Sequence, residues 1–101
     1  YVYSSSVNSF ESYSNAVISQ IDALRNSLAI DLEAKYVEIL SKLPESRHSN
    51  IIQFYSILRT ELNNPNISLQ KINNIRDIWD VAVSIQIEAA AAEEYLANLK
   101  L

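Results

Sequence analysis

Glu45-Ser46-Arg47-His48 sets a carboxylate three residues ahead of the chain's single histidine, the Glu-x-x-His spacing that carboxylate-bridged di-iron bundles use to hold metal. Those centres need two such motifs and further glutamates pointing inwards, because a lone imidazole is a weak ligand. Here the motif occurs once, beside Pro44, in a polar stretch that reads as a bend. The sequence therefore predicts a solvated bend histidine and no metal centre.

Acid/base pairs can be drawn among Asp77, Asp80, Glu88, Glu93 and Glu94. Catalysis by paired carboxylates requires burial or a neighbour that separates their pKa values, and these residues mostly fall off the apolar stripe of their segment, which predicts a solvated acidic face. Serines are abundant, but none has a companion histidine on a structured element, so no nucleophile is expected. Phe54, Tyr55, Trp79 and Tyr95 are spaced to line a pocket for an apolar ligand between helices, or to serve as plain core; Trp79 should pack beside its helix's main seam.

The chain has no glycine, so phosphate-cradling loops, nucleophile elbows and dinucleotide turns are disfavoured. It has no cysteine either, hence no disulfide framework and no thiolate metal site. Net charge is −4, and the basic residues Arg25, Lys35, Lys42, Arg47, Arg59, Lys71, Arg76 and Lys100 are scattered without forming a stripe. Nucleic acid is not an expected partner, and an acidic polar face disfavours a lipid surface. No catalytic residue and no cofactor is expected, so the chain does not read as an enzyme.

The elements that carry these residues are helices. At 101 residues, 49% of them hydrophobic, the chain supports one core and one domain, 1–101. After a loosely ordered start over residues 1–6, apolar positions recur every eleven residues: Phe10, Tyr13, Val17; Ile21, Leu24, Leu28; Leu32, Tyr36, Ile39; then Leu43. That repeat fits a long, nearly straight helix over about residues 7–43, with Asp31–Lys35 and Glu38–Lys42 as i,i+4 pairs on its wet face. Pro44 ends it. A short helix follows over about 50–63 with Ile51, Phe54, Tyr55, Leu58 and Leu62 on its apolar face, closed by Asn63-Asn64-Pro65-Asn66. Asn66 or Ser68 caps a third helix over about 69–100. The fold class is all-α: an antiparallel bundle of three helices, long-short-long, or four if the first breaks near Asn26-Ser27.

The third helix carries a seam at alternating steps of three and four: Ile75, Ile78, Ala82, Ile85, Ala89, Ala92, Leu96 and Leu99. Val81, Val83, Ile85 and Ile87 also alternate as in a strand, but the run continues into Ala89-Ala90-Ala91-Ala92 without a breaker, which favours helix. A partner helix could approach closely beside Ala89 and Ala92.

Helices of roughly 55, 21 and 48 Å, at about 1.5 Å per residue, cannot cover one another. Apolar overhangs are expected at the start of the first, with Phe10, Val17, Ile21 and Leu24, and the end of the third, with Ala89, Ala92, Leu96 and Leu99; Ala82 and Ile85 of the same seam complete the expected interface. A second copy covering both overhangs predicts a homodimer, and another protein is the other candidate partner. The expected function is a helical protein–protein interaction module; the alternative is a secreted carrier that takes a hydrophobic ligand or lipid surface between amphipathic helices. A start at Tyr1 predicts a processed chain or a fragment, and the Asn66-Ile67-Ser68 sequon in an expected turn makes Asn66 a glycosylation candidate that leans the reading towards secretion.

Overall fold

The computed structural model describes the backbone of residues 2–100 and the side chains of residues 13–100. Three helices follow one another: α1 (Val2–Lys42), α2 (His48–Leu62) and α3 (Leu69–Leu99), with one 3₁₀ turn at Glu45–Arg47 between the first two. The fold is all-α. α1 starts at Val2 rather than near Val7, since no Gly or Pro interrupts the serine-rich beginning, and it runs unbroken through Asn26 and Ser27. The four-helix alternative is thereby set aside. α3 is likewise continuous through Val81 to Ile87, with no strand among the described residues.

Side-chain contacts fix the directions. Arg59 reaches the Ala29 carbonyl while Tyr36 stacks on Tyr55, so α2 descends as α1 rises. Glu61 pairs with Lys71 and Asn50 reaches Gln86, so α3 rises again beside α2. α1 and α3 therefore run parallel with α2 antiparallel to both, and Asp31 meets Arg76 across them at 3.3 Å. Asp31 is thus committed to α3 instead of to Lys35; Lys35 turns to Glu38 at 3.6 Å, and Glu38 makes the expected bond with Lys42 at 3.0 Å.

The core is a single cluster: Leu28, Leu32, Ile39 and Leu43 from α1; Ile51, Leu58 and Leu62 from α2; Ile67 from the second bend; Ile72, Ile75, Trp79 and Val83 from α3. Each aliphatic side chain buried this way contributes roughly 1.5–3 kcal/mol. Tyr36, Tyr55 and Trp79 form an aromatic ladder that joins all three helices at mid-height. The short α2 limits the bundle to the middle of the molecule. The whole measures 83 × 16 × 15 Å with a radius of gyration of 20.2 Å, whereas a compact domain of this length has about 13 Å.

Helix ends are closed by local bonds. The Ser68 hydroxyl accepts from the Lys71 amide at 3.2 Å, which makes Ser68 the cap of α3. Asn66 stays exposed in the preceding turn, its amide donating to Asn64 Oδ1 at 2.9 Å. His48 departs from the expectation of a solvated bend residue. It opens α2, is half-buried, and donates from Nε2 to the Leu43 carbonyl at 2.9 Å, satisfying an orphan acceptor at the end of α1.

Candidate functional site

The Glu-x-x-His motif lies in the 3₁₀ turn that leads into α2. Glu45 is exposed, His48 is spent on Leu43, and among the described residues no group of three or more His, Cys, Asp or Glu converges to hold a metal. Asp77, Asp80, Glu88 and Glu94 lie exposed on α3. Glu93 is drawn into a fork-to-fork pair: Arg47 Nε donates to its Oε2 at 3.1 Å and Arg47 Nη2 to its Oε1. That bonding lowers the Glu93 pKa from its ordinary value and raises that of Arg47.

The same Arg47 donates from Nη1 to Gln86 Oε1 at 3.2 Å, and Asn50 Nδ2 donates to that oxygen at 3.5 Å. Gln86 is 6% exposed, a polar side chain in the buried stripe of α3, and these donors are what make it tolerable there. Sequence reasoning missed it because a glutamine between aliphatics reads as solvent-facing. The signal that would have found it is Arg47, a cation placed where the chain turns back over α3.

The seam predicted on α3 divides accordingly. Ile75 and Ala82 are buried, but the core then follows Trp79, Val83, Gln86 and Ala90 rather than Ile78 and Ile85. Trp79, expected beside the seam, is in the centre of the core, where Tyr55 covers it. Ile78 is 49%, Ile85 54% and Leu99 64% exposed; Ala89 is half-buried, and Ala92 and Leu96 are exposed. The positions from Ile78 to Leu99 therefore form a second apolar face, turned roughly a quarter to a third of the way round the helix from the core at 3.6 residues per turn. Among the described residues Ala92 is left exposed and Ala89 only half covered, so no close helix contact forms at the pair.

Two concavities adjoin α3. One is an apolar groove of about 280 Å³ between α2 and α3, lined by Phe54, Asp77, Ile78, Val81, Ala82 and Ile85. Its floor is the beginning of the exposed face. The other, about 830 Å³, opens where α1 ends and α3 continues, with Ile39, Leu43, Pro44, Ile87 and Ala90 as its apolar walls and Lys42, Glu93 and Glu94 among its polar residues. The aromatic set considered as a pocket separates: Tyr55 and Trp79 are core, Phe54 edges the groove, and Tyr95 is exposed.

On α1, Val17 is half-buried, Ile21 packs against the core cluster, and Leu24 is exposed. Ile21 is less free than expected because the bundle's lower end reaches it. Phe10 lies outside the residues whose side chains are described. No helix among the described residues is long and apolar enough to cross a membrane.

The chain matches no protein-family model, and comparison with curated proteins and with solved structures returns no significant match.

Proposed function

We propose that this chain is a non-catalytic helical interaction module whose partner, in the first instance, is a second copy of itself. The observation that carries the reading is the apolar face of α3 from Ile78 to Leu99, which runs at heptad spacing and whose large side chains Ile78, Ile85, Leu96 and Leu99 are each about half or more exposed. Soluble monomers rarely expose a contiguous apolar surface of this length. A single helix face presented on a rigid bundle is a recurrent way of binding another helix.

Light scattering on a sizing column at micromolar concentration tests it. A mass of about twice 11.4 kDa is expected; a stable monomer that also ignores other helical proteins of its source would remove the reading.

The carrier reading keeps one observation in its favour, the 830 Å³ cleft with apolar walls beside Pro44, a volume within the usual range for small-ligand sites. Displacement of a fluorescent fatty acid and flotation with vesicles separate the two. Saturable displacement, or flotation, would promote the carrier; neither is expected of the interaction module.

A further inference from the structure

We infer that the second copy docks through α3 itself, as an antiparallel pair of α3 helices whose two-fold axis passes beside Ala89 and Ala92. This rests on the self-association proposed above and adds the face, the direction and the register. The first support is exposure: Ile78, Ile85, Leu96 and Leu99 are 49%, 54%, 57% and 64% exposed along one face of α3, an apolar stripe of the kind soluble monomers rarely carry.

The second support is the order of side chains along the face. In a two-fold pair, if one residue meets a second on the partner, the second also meets the first, so one facing pair sets the register of all. Placing Ala89 opposite the partner's Ala92 places Ile85 opposite the partner's Leu96 and Ala82 opposite the partner's Leu99. Crossing helices approach most closely at the axis, and there this register has only alanine. The large side chains fall on either side, where the helices diverge. Sliding one layer in either direction brings Ile85 against Ala89, or Leu96 against Ala92, to the axis, where a branched side chain holds the backbones apart.

The third support is the groove. The register that centres the alanines also lays the partner's Leu96 and Leu99 over the apolar groove edged by Phe54, Ile78, Val81, Ala82 and Ile85. Residues 91–100 are exposed along their whole length, and among the described residues the apolar Leu96 and Leu99 of this end have no seat in their own chain. Each copy gives its end to the other's groove, which closes the assembly at two and leaves no open repeat. Arg47 holds Glu93, one of the two carboxylates that flank the axis, back against its own bundle.

The chain is cysteine-free, so single cysteines can carry nitroxide labels without background. Labels at Ser84, Ala91 and Asn98, all exposed, are read by pulsed electron resonance between the two copies, with circular dichroism confirming that each variant keeps its helices. The expected profile has its minimum at Ala91. At about 1.5 Å per residue, Ser84 and Asn98 acquire axial offsets of roughly 20 Å and 22 Å. In parallel, Leu99→Asp, at the exposed end of the helix, is expected to weaken association at least tenfold. A dimer with equal distances at the three sites, or one untouched by Leu99→Asp, overturns this pairing and leaves self-association standing. A monomer removes both.

Discussion

Tyr36 of α1 and Tyr55 of α2 stack with ring centroids 4.0 Å apart and planes within 1° of parallel. Trp79 of α3 tilts against Tyr55 at 5.9 Å, and the Arg59 guanidinium lies 5.8 Å from the centre of the same ring. Tyr55 therefore joins the aromatic residues of both long helices. Tyr55→Ala should cost about 3 kcal/mol, in the range for removing a packed aromatic. Tyr55→Phe should cost less than about 1 kcal/mol, because stacking is kept. Urea denaturation of the two variants measures the difference.

The indole Nε1 of Trp79 is buried with no hydrogen-bond partner among the described residues. An unsatisfied buried donor costs roughly 1–3 kcal/mol. Trp79→Phe removes that donor along with some packing, so the net loss should stay within about 1.5 kcal/mol, while Trp79→Ala should lose about 4 kcal/mol. The ratio of the two midpoints in a denaturant series checks this.

Glu93 is lowered in pKa chiefly by its bonds from Arg47, with the Arg47 charge adding to the effect and desolvation opposing it. A carboxylate whose folded pKa lies below its unfolded one stabilises the fold above the unfolded value, and that contribution is lost as pH falls through the folded value. Glu93→Gln should therefore be less stable than the native chain at pH 7. The gap should close as pH drops from the ordinary glutamate range through the lowered value. Glu93 is half-exposed, so added salt should narrow the gap at pH 7 as well. Melting temperatures across pH 7 to 2.5, with and without salt, read both trends.

Much of this architecture is legible in the residues. Pro44 and Pro65, in a chain without glycine, mark where helices must stop, and the eleven-residue spacing from Tyr13 to Leu43 carries an unbroken α1. The exposed end of α3 follows from arithmetic on helix lengths, whereas at the α1 end Ile21 packs against the core and Val17 is half-buried. The divided face of α3 was not legible, because two apolar stripes lie side by side there and periodicity alone does not say which one the chain uses. Trp79 and Val83 are buried between α1 and α2, and Gln86 continues their line only because Arg47 and Asn50 satisfy it. His48 was misread for a related reason: its partner is a carbonyl, which no side-chain pattern reveals.

Ala92 is exposed within the single chain, so Ala92→Leu should leave the melting temperature of a dilute sample unchanged and alter it only at concentrations where copies associate. Leu32→Ala, in the core of the bundle and away from the exposed face of α3, should cost about 2–5 kcal/mol at any concentration. Thermal scans over a hundredfold range of protein concentration distinguish the two.

Self-association is tested most directly by sedimentation equilibrium of the native chain at several micromolar loadings. The account predicts a single species of about twice the 11.4 kDa chain mass that shifts towards the monomer on dilution. A mass that stays at one chain across the range would contradict it.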